Sequence, residues 1–181
     1  MCYTAVMTAK EGPPMQAEQR RQAILEILEP ASQPISAGAL ATRFCVSRQV
    51  IVGDIALLRA AGAEISATPR GYVIQRSPSG LVQQVACRHS GADMEAELNA
   101  MVDNGCTVLD VTVEHPVYGQ ITGPLQLSNR YDVQQFLSRC TQPLSRLTGG
   151  IHLHTLSCPD EAAYRRTLAA LDALGFLLKD E

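Results

Sequence analysis

Apolar positions in the first part of the chain recur with the 3.6-residue period of a helix. The pattern predicts helices over residues 18–29, 37–44 and 48–61. Pro30 ends the first helix, Ser36 and Ser47 are suitable N-caps for the other two, and Gly62 ends the third. A short helix, a tight turn and a longer helix are typical of a helix-turn-helix unit.

The segment that follows predicts a wing beside these helices. Residues 63–75 alternate apolar and polar positions around a Pro-Arg-Gly turn, which indicates a β-hairpin with Arg70 at its tip. Residues 17–76 are therefore predicted to form a winged helix-turn-helix DNA-binding domain, and a generic three-helix bundle with a hairpin is the alternative. Side chains at the start of the third helix and at the wing tip reach bases and phosphates in such domains. The residues predicted to contact DNA are Ser47, Arg48, Gln49 and Arg70.

The periodicity changes in the second half of the chain, after a Pro/Ser/Gly-rich stretch that predicts a linker at residues 77–80. Strands are predicted over residues 81–87, 107–113, 120–127, 150–156 and 176–178, and helices over residues 92–104, 131–140 and 160–174. The order βαββαβ with an added αβ predicts an α+β domain over residues 81–181. A ferredoxin-like sheet with helices on one face is the expected architecture. Residues 1–16 have no long apolar core and are predicted to be a disordered leader.

Composition is that of an ordinary globular protein, with 46% hydrophobic and 18% charged residues. No apolar stretch reaches the ~18 residues that suggest a membrane span, so no membrane partner is expected. Trp is absent and aromatic residues make up 4%, which argues against a surface built on aromatic stacking. The six cysteines are scattered without a C-x-x-C pair, mostly in apolar segments. This pattern predicts a cytoplasmic protein with free thiols and no disulfides.

Charge is distributed unevenly although the net charge is only -3. Residues 18–76 hold seven arginines against five acidic residues, whereas residues 77–181 hold seven basic and twelve acidic residues. This asymmetry fits a half that faces DNA joined to an acidic half.

All four histidines follow the predicted linker. His152 and His154 are two apart in an apolar run, so a strand turns both rings to the same face and provides half a metal site. His89, just before a helix, could complete the site together with Glu95 or Glu97. Such nitrogen and oxygen ligands suit nickel, zinc, iron or manganese. The alternative is a satisfied polar pair or a pH-sensitive patch.

The fourth histidine lies at the end of a predicted strand. Pro116 cannot donate to a strand ladder, so His115 is placed at the tip, near Tyr118. One interpretation is that both residues line a pocket where a small ligand meets the metal; the other is that the segment is a simple turn. An open metal position could also activate water with Glu114 as the base. The chain has no H-E-x-x-H motif, phosphate-binding glycine loop or catalytic triad order, so no enzymatic activity and no catalytic residues are predicted.

Four segments together resemble a known family, the nicotinate-responsive transcriptional repressors of NAD biosynthesis. They are VSRQVIVGDIALLR at 46–59, PRGY at 69–72, DVTVEHPVYG at 110–119 and GGIHLHT at 149–155. Members of that family join a winged helix to a 3H domain, named for its histidine motifs. The resemblance covers roughly residues 18–178, and its C-terminal motifs are the more specific ones. Gly53 is a departure, because a longer polar side chain is expected there in a recognition helix.

The resemblance implies a specific ligand set and function. In that family a metal reported as nickel lies on three histidines and one glutamate, and the matching residues are His89, Glu97, His152 and His154. It thus selects Glu97 over Glu95 and implies one divalent ion per chain, with nickel expected and zinc, iron or manganese possible. A homodimer would bind a two-fold operator, and nicotinic acid would act as co-repressor of genes for NAD biosynthesis and niacin uptake. The alternatives are a metal-responsive regulator and, from another class, a metallohydrolase fused to a DNA-binding module.

Overall fold

A computed structural model describes residues 15–31, 33–74 and 80–179 of the chain. The predicted leader lies outside these ranges except for its last two residues, and the predicted linker except for Gly80. Residues 15–74 form what we call the N-terminal unit, and residues 80–179 form the C-terminal unit. Within the described ranges, no helix combines the length and apolar character that a membrane span needs.

The N-terminal unit consists of three helices and a hairpin, as the periodicity predicts. Its elements are α1 (Ala17–Leu28), α2 (Ala37–Arg43), α3 (Arg48–Ala60), β1 (Ile65–Thr68) and β2 (Gly71–Ile74). Both predicted serine caps are present: Ser36 Oγ accepts a hydrogen bond from the amide of Ala39, and Ser47 Oγ accepts one from the amide of Val50. The helical stripes meet in one core, whose largest fully buried side chains are Ile24, Leu28, Leu40, Ile51 and Ile55.

Polar and backbone contacts hold the parts of this unit in fixed positions. Asp54 of α3 is buried and accepts a hydrogen bond from Arg20 Nε of α1 at 2.6 Å. The wing is joined to the start of α2, because Ile35 and Tyr72 form a β-bridge with two backbone hydrogen bonds. Gly71, with φ of 144°, makes this approach possible: a Cβ atom there would lie 2.3 Å from the carbonyl oxygen of Ile35.

The C-terminal unit is a four-stranded sheet covered by helices. Its elements are β3 (Leu81–Arg88), α4 (Met94–Asp103), β4 (Thr107–His115), β5 (Gly119–Leu127), α5 (Arg130–Leu137), β6 (Ile151–Cys158) and α6 (Glu161–Ala173). Short 3₁₀ helices, Gly91–Asp93 and Leu144–Thr148, precede α4 and β6. The apolar side chains of α4, α5 and α6 pack on one face of the sheet in a single core, which includes Leu98, Met101, Leu127, Leu156 and Leu171.

The element order is the predicted one, and the structure is α+β. The strand order is β3-β6-β4-β5, with every neighbouring pair antiparallel. A ferredoxin-like sheet pairs its first and third strands at the centre, whereas the central pair here is the fourth strand, β6, with the second, β4. The strand order therefore differs from the ferredoxin-like one. The predicted strand at 176–178 is a single bridge, Cys87 with Leu177, that extends the sheet beside β3.

The prediction of free thiols throughout is wrong for one pair. Cys106 and Cys158 form a disulfide with a Cα–Cα distance of 4.3 Å. Cys106 directly precedes β4 and Cys158 ends β6, and the register of these strands pairs the neighbouring residues Thr107 and Ser157. The two cysteines are thus opposite each other across adjacent strands. They are 52 residues apart in sequence, so their proximity depends on a strand pairing that local patterns do not reveal.

The wing is packed against the C-terminal unit, so Arg70 is not at a free tip. Arg70 Nη1 lies 2.5 Å from Asp132 Oδ1 at the start of α5, and its Nη2 donates to the carbonyl of Gln126. The Arg70 side chain is 18% exposed and the Asp132 side chain is 3% exposed. In the other direction, Arg139 Nη1 of the C-terminal unit donates to the carbonyl oxygen of Pro69 in the wing turn at 2.9 Å. An ion pair and hydrogen bonds to backbone carbonyls therefore hold the wing turn against the C-terminal unit.

Candidate functional site

The two histidines of β6 face the helix layer because of strand register. Cys87 pairs with His152 and Val85 with His154, so these side chains lie on the same face of the sheet, under α4. His89 follows the end of β3, and its amide donates to the carbonyl of Gly150. Gly150 has φ of 97°, and a Cβ atom there would lie 2.3 Å from the carbonyl oxygen of His89. The second glycine of the GGIHLHT motif therefore permits the close approach that brings His89 beside β6.

Glu97 lies at the centre of the three imidazoles. It is in the first turn of α4 and is 1% exposed. His89 Nε2 lies 2.7 Å from Oε2, His152 Nε2 lies 3.0 Å from Oε1, and His154 Nε2 lies 3.3 Å from Oε2. We call these four residues the His–Glu cluster. Glu95, the other carboxylate that the sequence left open, is exposed on the same helix.

Backbone carbonyl groups fix the orientation of all three rings. His89 Nδ1 lies 2.6 Å from the Ser90 carbonyl, and His152 Nδ1 lies 2.9 Å from the Gly150 carbonyl. His154 Nδ1 lies 2.9 Å from the carbonyl of Asp110, where a shift in the β4–β6 register marks a β-bulge. A carbonyl oxygen only accepts, so each Nδ1 carries the hydrogen, and in a neutral ring each Nε2 presents a lone pair to Glu97.

This arrangement requires a cation among the four residues. Lone pairs on three Nε2 atoms repel the carboxylate oxygens unless a proton or a metal ion lies between them. His89 Nε2 illustrates this: it is close to Glu97 Oε2, yet no aligned hydrogen-bond partner for it exists among the described residues. An orphaned buried ring nitrogen at this position is what a missing metal bond would leave.

The pKa values in the metal-free cluster have the direction that protons in these positions would give. Burial alone would raise the pKa of Glu97, but His154, hydrogen bonds with His152 and His154, and the close approach of His89 hold it well below its usual range. Burial alone would lower the pKa values of His89 and His154, but the Glu97 carboxylate outweighs that effect and raises both. Without a metal, the Glu97 carboxylate therefore favours the protonated forms of His89 and His154.

The donor set fits a divalent transition metal. His89, Glu97 and His152 offer ligand atoms that all lie within 4.8 Å of one another, and His154 adds a nitrogen beside Glu97 Oε2. Imidazole nitrogens with one carboxylate suit nickel, zinc, iron and manganese. The Nδ1–carbonyl contacts are the outer interactions that orient metal-binding histidines. The structure thus brings together the four residues that the sequence analysis named as ligands.

Sequence reasoning missed Cys87, which lies against this cluster. Its thiol is buried, and burial raises its pKa, with a further rise from the nearby Glu97 carboxylate. Strand alternation places residue 87 on the same face as residue 89, so the signal was present in the sequence. A thiol held in its neutral form is an outer contact of Glu97 and not a thiolate ligand.

A cavity of about 210 Å³ opens onto the His–Glu cluster. The cluster forms one polar end, and the remaining walls are largely apolar. Among the lining side chains are Met94, Leu98, Val111, Leu125, Phe136 and Leu144. Pro69, in the wing turn of the N-terminal unit, is also part of the wall. The cavity therefore touches both units of the chain.

His115 and Tyr118 are not part of this cavity. They lie in and beside the turn between β4 and β5, with ring centroids 4.9 Å apart. Tyr118 is exposed, and His115 Nδ1 accepts hydrogen bonds from the amides of Val117 and Tyr118. These contacts organise the turn, and the structure does not bring either residue to the His–Glu cluster.

The residues predicted to contact DNA divide into two groups. Arg48 and Gln49 are exposed in the first turn of α3, and Ser47 caps that helix. Val52 and Gly53 continue the exposed face, and nothing lies within 4 Å of where a Cβ atom on Gly53 would be. Arg70 differs from these because Asp132 and the Gln126 carbonyl hold its guanidinium.

Comparison with known proteins agrees with this two-unit organisation. Residues 20–73 match an HTH domain family, and residues 82–180 match the 3H domain family. The probable transcription repressor NiaR of Thermotoga maritima is 43% identical over 167 residues, which cover 90% of this chain and 95% of that protein. Transcription repressor NadR of Bacillus subtilis is 42% identical over 169 residues, which cover 89% of this chain and 94% of that protein. The chain therefore belongs to the NiaR and NadR family of transcription repressors, which join an HTH domain to a 3H domain.

Proposed function

We propose that this protein is a DNA-binding repressor of NAD biosynthesis and niacin uptake genes, with nicotinic acid as the co-repressor. In this proposal the His–Glu cluster holds one divalent metal per chain, nickel being the expected ion. One observation supports the effector role most directly. The cavity that ends at the cluster is walled on another side by Pro69, so a molecule bound there contacts both the effector domain and the wing.

The chemistry of the cavity suits a small aromatic acid. Its volume of about 210 Å³ is below the range of drug-sized sites, and its walls are mostly apolar. Phe136 and Leu125 can contact the faces of a pyridine ring, while Gln142 and Ser145 supply polar groups near the wall. A divalent metal at the cluster supplies a positive position to which a carboxylate or a ring nitrogen can be drawn.

Operator recognition is assigned to the exposed face of α3. Gln49 can pair with the adenine edge, and Val52 can contact the thymine methyl group in the major groove. Gly53 offers no side chain, and its open surroundings allow the helix to lie close to the DNA. A homodimer presents two such helices to a two-fold operator. Location in the cytoplasm, where the operator is found, is part of the same proposal.

The two activities are joined by linkage through the wing. Nicotinate that contacts Pro69 binds best to the arrangement in which the wing is docked, and that arrangement is the one we assign to the DNA-bound state. The effector should therefore tighten operator binding, and the operator should tighten effector binding by the same factor.

The test is a titration of operator DNA with metal-loaded protein, with and without nicotinate. We expect nicotinate to tighten binding by ~1–3 kcal/mol, roughly 5- to 150-fold, and nicotinamide to have a much smaller effect because it lacks the anionic carboxylate. His154→Ala should abolish this response and leave basal DNA binding largely intact. If calorimetry detects no binding of nicotinate to the metal-loaded protein, the effector assignment is wrong.

A metal-responsive regulator is the second function that the site favours, because the His–Glu cluster is complete without any effector. In that case operator affinity would follow metal occupancy alone, and nicotinate at fixed metal would change nothing. A metallohydrolase would be identified by turnover.

A further inference from the structure

A second, polar cavity lies between the two units, on the side where α3 begins. Its volume is about 400 Å³, and it is bounded by the starts of α2 and α3, the wing turn, and Arg139 in the segment that follows α5. Three arginines line it, Arg48, Arg70 and Arg139, together with Ser36, Thr68 and Tyr72. None of the described residues that line it is acidic. The cavity is therefore suited to an anion.

Two of these three arginines have an unbalanced charge. Asp132 lies against Arg70 and neutralises it. Arg139 donates only to the Pro69 carbonyl, which is neutral, and neither it nor Arg48 has an ion-pair partner within the described ranges. Both side chains are exposed. Two guanidinium groups from different units, neither with an ion-pair partner in the described part of the chain, thus face the same cavity.

We propose that Arg48 and Arg139 hold one phosphate of the operator backbone in this cavity, so that the 3H domain itself contacts DNA. The proposal rests on the operator-binding function proposed above. Arg48 places the cavity at the start of the recognition helix, directly beside the base-reading residue Gln49. Phosphates at that position are the groups that fix a recognition helix in its register. The planar guanidinium of arginine matches phosphate oxygens in geometry and charge.

This assignment gives the effector domain a direct effect on the operator. Arg139 directly precedes Cys140, and both Cys140 and Phe136 line the effector cavity. A molecule that packs against this segment changes the position of the arginine that binds phosphate.

The experiment measures the salt dependence of binding to two duplexes, one enriched by the wild-type protein from a random-sequence library and one of random sequence. Arg139→Ala should weaken binding to both by a similar factor and lower the slope of log affinity against log salt by about 0.9. The affinity lost between about 50 and 200 mM salt should then be smaller by a factor of about 3.5. Arg139→Lys should retain most of the slope, since it keeps the charge.

Arg165→Ala is the matched control, because it removes one exposed arginine of the same unit, which is paired with Glu161 outside the cavity. An unchanged slope in Arg139→Ala, or a change no larger than in Arg165→Ala, would overturn the proposal. The proposal would also be overturned if Arg139→Ala lost the binding of inorganic phosphate, as measured by ³¹P NMR, while its DNA binding stayed unaltered. The anion held in the cavity would then be free phosphate. A wild-type protein that enriches no duplex contradicts the repressor function itself. Loss of binding in Arg48→Ala without a change in Arg139→Ala contradicts only the bridging phosphate.

Discussion

Glu97→Gln is the most informative single change at the His–Glu cluster. Glutamine preserves the volume of a side chain that is only 1% exposed, so the packing of α4 on the sheet should be retained. It removes the negative charge that faces all three Nε2 atoms at 2.7 to 3.3 Å. The variant therefore separates the electrostatic role of this residue from its role in packing.

The expected loss can be worked out as a change in ligand-induced stability. Loss of an outer contact alone typically weakens metal binding 10- to 100-fold, and a carboxylate at the centre of the site should lie at or beyond ~100-fold. Free metal at about 100 times the wild-type Kd stabilises the wild type by ~2.7 kcal/mol, but stabilises a variant with 100-fold weaker binding by only ~0.4 kcal/mol. For a chain of this size the difference of ~2.3 kcal/mol corresponds to roughly 5 to 9 °C in Tm.

Thermal unfolding with and without added nickel measures this difference, and calorimetry in two buffers of different ionisation enthalpy counts the protons that metal binding releases. Wild type should release protons, because Glu97 raises the pKa values of His89 and His154, whereas the variant should release fewer. Glu95→Gln removes an equal charge from the exposed face of α4 and should behave as wild type. A metal-induced Tm shift in Glu97→Gln equal to that of wild type would refute the assignment of Glu97 as a ligand.

Three further predictions concern the pH dependence of the cluster, the wing contact and the disulfide. The stability of the metal-free protein should fall as pH rises through the raised pKa values of His89 and His154, and should also fall in acid as the lowered pKa of the cluster glutamate is reached; denaturant unfolding from about pH 2 to about pH 9 tests both stability trends. Metal affinity should instead increase with pH, which metal titrations above about pH 5 test. Arg70→Ala should cost ~3 kcal/mol of stability and reduce the nicotinate response of operator binding. Asp132→Asn should reduce that response too, because it weakens the same contact. If only Arg70→Ala reduces the response, a direct contact of Arg70 with DNA is favoured instead. Reduction of the disulfide, whose cysteines are 52 residues apart, should lower stability by up to ~4 kcal/mol. In Cys106→Ser, reduction should have no such effect. Equal thiol counts before and after reduction of the wild type would argue against the bond.

Much of the architecture was accessible from the sequence because it depends on local physics. The 3.6-residue stripe and serine cap of α3 predict its start at Arg48 correctly, and α4 and α6 lie within a few residues of their predicted ranges. Alternation along one strand likewise places His152 and His154 on a shared face. These features require no knowledge of which segments are neighbours.

Apart from Cys87, the features that sequence reasoning did not predict depend on contacts between distant segments. The strand order and the Cys106–Cys158 bond depend on the pairing of β4 with β6. The partner of Arg70 is 62 residues away, so the hairpin alone predicts an arginine free for DNA. The sequence suggested a ligand site at the turn that contains His115. The cavity instead opens beside Phe136 and Leu144, a location that depends on the packing of segments distant in sequence.

The junction of Ile35 with Tyr72 determines how motion of the wing reaches DNA. Gly71 leaves no space for the hairpin to slide past the start of α2, and the backbone bridge joins the two segments. A displacement imposed on the wing turn would therefore also move the start of α2, which packs with α3 in the same core. In a dimer, opposite rotations of the two recognition helices alter the angle and the separation at which they meet successive major grooves. A shift at Pro69 would then reach the recognition helix through the backbone of the N-terminal unit and not through its side chains alone.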